Sequence, residues 1–388
     1  MRKAGLTGVV LVLTLTLVAF WWWQRPRTNA VAADSLVGVL VDENNAGYSL
    51  ATVPGAVRFP RDLGPHYDYQ TEWWYYTGNL ETADGRLFGY QLTFFRRALA
   101  PPGEGVAIAD ASSWRTTQVY MAHFAISDIS NRGFYPAEKF SRQALGLAGA
   151  SSEPYAVWLD DWYARESNNN SVQLFARTQN TVLDLTLTQT LPPILQGNAG
   201  LSVKGAQPGN ASNYYYYSLV RQESRGTVSV NGDTFMVSGL SWKDHEYMTS
   251  ALAPEDVGWD WFGLQFYNGT ALMLFQIRQA DGSVTRFSSG TFVAGDGGVI
   301  PLESSDFRIK TTDRWTSDQS GATYPIAWEI EIERIGLTLR GAALMANQEL
   351  RLSRTYWEGA VALEGRYQGM PISGRGYVEM TGYVQRLS

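Results

Sequence analysis

Val237–Phe266 reads VSGLSWKDHEYMTSALAPEDVGWDWFGLQF, and the reading of this stretch decides the fold. Its first part sets Val237, Gly239 and Ser241 against Ser238, Leu240 and Trp242, the two-residue period of a β-strand. Its last part is a second aromatic strand holding Trp259 and Trp261. Between the two stand Asp244, His245 and Glu246, then a loop with Pro254, Glu255 and Asp256. Charge this dense is costly if buried, and indoles have little reason to ring it if exposed. The stretch therefore predicts a junction between two strand-rich units and a site in the same place.

The flanking sequence keeps the same grammar. Upstream, Glu72–Leu80 turns at Ala83-Asp84-Gly85 into Arg86–Arg97, and Gln118–Asp128 resumes a strand. Downstream, Asn268-Gly269 and Asp281-Gly282 punctuate strands from Gly258 to Val293, and Asn231-Gly232 makes a turn just before the opening stretch. Asn-Gly and Asp-Gly between aromatic runs are hairpin signals. Only 133–150 is expected to be partly helical; no segment holds a helical period over about twelve residues. An internal duplication shows in Glu72-Trp73-Trp74 beside Asp260-Trp261-Phe262, each opening a hairpin whose return strand ends in Arg96 or Arg278. Val237-Ser238-Gly239 leads to Trp242, Asp244 and Tyr247, as Ile372-Ser373-Gly374 leads to Tyr377, Glu379 and Tyr383. The expectation is an all-β chain of two tandem antiparallel β-barrels, since closure leaves no exposed edges. A lead-in segment covers 33–65, the first barrel 66–250 and the second 256–388.

Composition bounds the function. Among 388 residues, 13% are aromatic and 38 are glycine, which favours strands and turns. A net charge of −6 without a basic face argues against a nucleic-acid partner. Zero cysteines exclude disulfides, thiolate metal sites and cysteine nucleophiles. Arg2 and Lys3 precede a low-charge run from Ala4 to Trp23, and Ala30-Val31-Ala32 offers a cleavage site. Residues 1–32 are thus expected to be an export signal or a membrane anchor, with the rest periplasmic or secreted. An uncleaved segment would tie the protein to the membrane.

Four phrases, EWWYYTGNL at 72–80, QLTFFRR at 91–97, AHFAISD at 122–128 and SGLSWKDHEY at 238–247, together resemble the hydroxyneurosporene synthase (carotenoid 1,2-hydratase) family of lipocalin-like proteins. Members of that family are often labelled predicted secreted hydrolases. The resemblance spans nearly all of the exported part and implies two lipocalin-like barrels. It departs from the carotenoid branch after His245, where Glu246 and Tyr247 replace that branch's Gln or Asn and Trp, so the reaction stays open. By the resemblance, Asp244 corresponds to the acid of the carotenoid hydratases.

Asp244 and His245 are the catalytic candidates. In an aromatic pocket Asp244 would keep its proton and act as an acid, and ring faces would stabilise the cation formed on a protonated double bond. Trp242, Tyr215, Tyr217, Trp259, Trp261 and Trp73 are the candidate substrate-binding residues. The bland alternative has Asp244 and His245 tying one barrel to the other. Glu72 with Arg96 and Asp260 with Arg278 read as structural ion pairs across their hairpins, and His123 as a core histidine. His66 directly follows the lead-in segment, within reach of a barrel mouth. Three scattered histidines without HExxH argue against a metal site, and no cofactor is expected. Ser241 in GLSWK lacks the second glycine of a nucleophile elbow, which argues against a serine hydrolase. What fits is a protein binding an apolar isoprenoid or lipid-like molecule, either as a hydratase or lyase or as a non-catalytic carrier of lipid or pigment. An envelope assembly factor is the third reading.

Overall fold

The structure, a computed structural model, describes residues 46–103, 116–168, 170–205, 213–250, 252 and 256–384. The expected export signal or anchor over 1–32 lies outside the described residues, as does the Pro254-Glu255 turn. Among the described residues every regular element is a strand, except two three-residue 3-10 turns at Arg61–Leu63 and Glu333–Ile335. The stretch expected to be partly helical is strand as well: Gly133–Arg142 pairs along its length with Gln118–Asp128, and Ala148–Ser152 follows. Gly133–Arg142 is the outermost strand of its sheet, the place where Pro136 is tolerated and where a helix interior would not accept it.

Two antiparallel sheets divide the chain, one taking the strands from Thr71 to Met248 and the other those from Asp256 to Met380. The first curls until Tyr155–Leu159 touches Gln118–Asp128 and Gly133–Arg142, closing round Trp74, Tyr76, Tyr90, Phe124 and Trp162. The second encloses Phe262, Leu264, Phe292, Trp328 and Trp357. Both are lipocalin-like barrels, the second more open.

The duplicated phrases occupy equivalent places. In each barrel the opening strand lies between its hairpin partner and the closing strand. Thr71–Glu81 pairs with Leu87–Ala98 and Asp233–Met248, while Asp256–Phe266 pairs with Ala271–Gln279 and Met370–Met380. The registers agree too, since Trp73 lies opposite Glu246 and Trp261 opposite Glu379. These opening and closing strands face each other across the inter-barrel contact. That is why Thr71–Glu81 is buried at every position but the last. Trp74 and Tyr76 fill the first barrel, while Trp73 and Tyr75 join Trp242, Trp261, Met273 and Phe275 in a third core between the barrels. A strand covered on both faces loses its polar alternation.

The longest strands, Tyr214–Val230 and Asp233–Met248, form one hairpin around Asn231-Gly232. Both turn residues have positive φ, 53° and 95°, as a two-residue turn matching the strand twist requires. Asp244, His245 and Glu246 sit within the second of these strands, opposite Tyr75, Trp74 and Trp73.

Candidate active site

Strand alternation splits the acidic triplet. Asp244 and Glu246 emerge on the outer face of the first barrel and line a narrow cavity of about 50 Å³ between the two barrels. It is lined by Trp73, Tyr214, Tyr216, Trp259, Trp261 and Phe275, with Glu358, Glu379 and Lys204. That space takes a few waters or the reacting end of a ligand.

Asp244 is held from three sides. Tyr216 donates its hydroxyl to Oδ2 at 2.7 Å, while Ser218 and Trp242 Nε1 donate to Oδ1 at 2.5 and 2.7 Å. Trp261 Nε1 in turn donates to the Tyr216 hydroxyl at 3.1 Å. Burial pushes the Asp244 carboxyl up to about 7, against the pull of these three hydrogen bonds. Glu246 accepts from Trp73 Nε1 at 2.9 Å, and burial together with the charge on Asp244 raises it. The second barrel contributes Glu358 and Glu379, directly opposite each other on neighbouring strands. Burial and Glu379 push Glu358 well up, and Tyr75 donates to it at 2.9 Å. Glu379 is raised to about 8 by burial, with a Trp259 hydrogen bond opposing. Four carboxyls in an apolar space cannot all ionise. Asp244, with the most donors, is the first to do so.

His245 points the other way, into the first barrel. Its Nε2 meets Glu72 Oε1 and its Nδ1 the Tyr217 hydroxyl, each at 2.8 Å, and burial lowers its pKa to about 4, so the ring is neutral. Glu72 also takes Arg96 Nε at 2.8 Å and His66 Nδ1 at 2.8 Å. Burial opposes its charge, yet Arg96, His66 and the histidine hydrogen bonds together hold it well below the usual carboxylate range. The expected Glu72–Arg96 and Asp260–Arg278 pairs both form, and His123 is fully buried against the Tyr356 hydroxyl.

Two of the three histidines, distant in sequence, meet in space: His66, Glu72 and His245 bring ligand-type atoms within 4.8 Å of one another, while His123 lies apart on Tyr356. Those atoms already hydrogen-bond to each other, and Arg96 lies buried on the same carboxylate. A cation there would have to displace those bonds beside a guanidinium, so the cluster reads as a hydrogen-bonded support for the strand that carries Asp244. The tyrosines are displaced by one residue. Tyr215 exchanges hydrogen bonds with the Val53 backbone and Tyr217 meets His245, both away from the cavity. Tyr214 and Tyr216 line it instead. Trp73, Trp259 and Trp261 line the cavity, and Trp242 stands behind Asp244. Lys204, Glu358 and Glu379 escaped the sequence reading as site residues. The repeat that sets Glu379 against Glu246 was the available signal for the last of them.

A dehydratase, asqC of Emericella nidulans, is 26% identical over 229 residues, covering 55% of this chain and 62% of its own length. Kievitone hydratase of Nectria haematococca shares the fold at 14% identity and a TM-score of 0.65, over 87% of this chain and 96% of its own. A Nitrosomonas europaea protein assigned to AttH superposes with a TM-score of 0.76 at 33% identity, over 87% of this chain and the whole of that one. The AttH-like family model matches residues 51–383, and the chain belongs to the AttH-like family, with the carotenoid hydratase-like lipocalin fold.

Proposed function

We propose that this protein is a hydro-lyase that adds water to, or removes it from, an apolar molecule seated between its two barrels. One observation carries the reading. A single aromatic cavity holds Asp244, raised to about 7 and so present in both forms at neutral pH, beside Glu379, raised to about 8 and mostly protonated. Hydration needs one group to take a proton from water and another to give one to carbon, and dehydration needs the reverse. Asp244 does either, with Glu246 or Glu379 as its counterpart. The aromatic walls suit an isoprenoid or lipid-like skeleton. Similarity to a dehydratase in sequence and to a hydratase in fold supports the reaction class. The run Ala4–Trp23 with Ala30-Val31-Ala32 supports work outside the cytoplasm.

A carrier without chemistry is the second reading, favoured by the three donors that already occupy both oxygens of Asp244. The test incubates the protein with prenylated alkenes, with the matching enones, and with the tertiary alcohols of both, and follows gain or loss of one water by mass spectrometry. Asp244→Asn should lower turnover by roughly 10²–10⁴ while still binding the ligand. Ligand bound by the wild type with no conversion in either direction would leave only the carrier.

A further inference from the structure

Lys204 stands just after the short strand Leu201–Ser202, 5% exposed, and lines the same cavity as Asp244 and Glu246. Its Nζ lies 3.1 Å from the centre of the Phe275 ring and 4.8 Å from that of Tyr214. Among the described residues no carboxylate or carbonyl comes within hydrogen-bond or ion-pair range of this nitrogen. Buried donors are otherwise paired almost without exception. A buried amine that lines a reaction cavity and rests on ring faces, with no acceptor among the described residues, points to an acceptor on the ligand.

Building on the hydro-lyase reading, we propose that Lys204 receives a carbonyl oxygen of the substrate, so that the reacting double bond is conjugated to a ketone or aldehyde. A carboxylate would fit less well, because four carboxyls already share the space and a fifth adds like charge. A neutral carbonyl adds none in the ground state. It gains negative charge only as the enolate forms, which is when a nearby ammonium stabilises it most. Burial lowers the Lys204 pKa, and a developing oxyanion would raise it again.

In hydration the water oxygen bonds to the β-carbon and its proton passes to the Asp244 carboxylate. The π pair moves toward the carbonyl oxygen as an enolate beside Lys204. A protonated carboxyl, Glu246 or Glu379, then gives its proton to the α-carbon. One C–O and one C–H bond form, one π bond is lost, and no oxidant or reductant takes part. Dehydration runs the same steps backwards.

The experiment titrates intrinsic tryptophan fluorescence with three matched small probes: mesityl oxide, its allylic alcohol and the carboxylate senecioate. The wild type should bind the enone about tenfold more tightly than the alcohol, as one hydrogen bond to a charged donor implies. Lys204→Met, similar in length but without the donor, should equalise the two while leaving the alcohol's affinity and the melting temperature unchanged. Lys204→Leu serves the same purpose if the methionine variant does not fold. An enone preference that survives removal of the amine overturns the proposal, as does tighter binding of senecioate than of the enone. Equal binding of enone and alcohol by the wild type removes the carbonyl assignment and leaves the hydro-lyase reading standing. If none of the three binds, both fall.

Discussion

Asp244 shows how one side chain can couple chemistry to stability. Its carboxyl is raised to about 7 and that of Glu379 to about 8, both with burial as the leading cause. Between the ordinary carboxylate range and those values the native chain binds protons that the unfolded chain has released. The stability these groups lend is therefore complete in acid and is lost as pH rises through about 7 to 8, by at most about 1.4 kcal/mol per pH unit for each group. Glu72 works in the opposite sense: held low, it stabilises above the carboxylate range and loses that contribution in acid. Thermal melts from about pH 5.5 to pH 7.5, below the range where the depressed lysines Lys204 and Lys243 reverse the slope, should show stability falling toward alkali, and Asp244→Asn should flatten that fall. A wild-type profile that rises over this range would contradict the buried-acid reading. The same scale shows where sequence reading stops. Asp244, Trp73, Trp259 and Trp261 were legible because a charge among indoles is unusual in any fold. The run Tyr214-Tyr215-Tyr216-Tyr217 looks alike on both faces, so only the register that sets Tyr216 opposite Glu246 and Tyr217 opposite His245 tells them apart. Tyr216→Phe should accordingly lower turnover while leaving the fold intact, because it removes a donor to Asp244. Tyr217→Phe should act on stability by about 1 kcal/mol, as the loss of one buried hydrogen bond to His245; paired activity and urea-unfolding measurements on both variants separate these effects.

The hairpin Tyr214–Val230 to Asp233–Met248 is the element on which the site hangs. Its turn was legible from Asn231-Gly232 alone, because two consecutive residues of positive φ suit few other pairs. The continuity of its strands was not. The Leu219–Gln222 irregularity interrupts the alternation, and the charged triplet looks like a loop until its pairing with Thr71–Glu81 is known. The helical expectation for 133–150 failed for a related reason: an edge strand is half exposed and mixes polar with apolar residues. Gly232 has φ 95° in the turn, with open space where a Cβ would go. Gly232→Ala should therefore lose stability through backbone conformation alone, by about 1 kcal/mol. Urea unfolding measures this. A neutral result would mean that the turn adopts another conformation in solution.

At the scale of the molecule the two barrels form one compact body, and the candidate site is built from the faces they hide from each other. Trp73, Tyr75 and Trp242 on one side and Trp261, Met273 and Phe275 on the other share a single core. Polar groups cross the same boundary. Gln265 Nε2 donates to the Val220 and Ser241 carbonyls at 2.8 and 3.0 Å, Asn79 Nδ2 to the Gly376 carbonyl at 3.0 Å, and Ser127 to Gln348 at 2.8 Å. The approach is close enough that a Cβ on Gly89 would meet that of Ala360 at 2.9 Å. Separating the barrels would expose a large aromatic patch to water. Chains spanning 46–250 and 256–384 should each be insoluble or molten when expressed alone, and the intact protein should melt in one calorimetric transition. Gly89→Leu, which pushes the barrels apart without touching any cavity residue, should lower the melting temperature and shift tryptophan emission to the red as water reaches Trp73 and Trp261. Two separate transitions, or a soluble isolated half with native emission, would show that each barrel is self-sufficient. The cavity would then be a contact between independent domains, and its acids would be free to meet water.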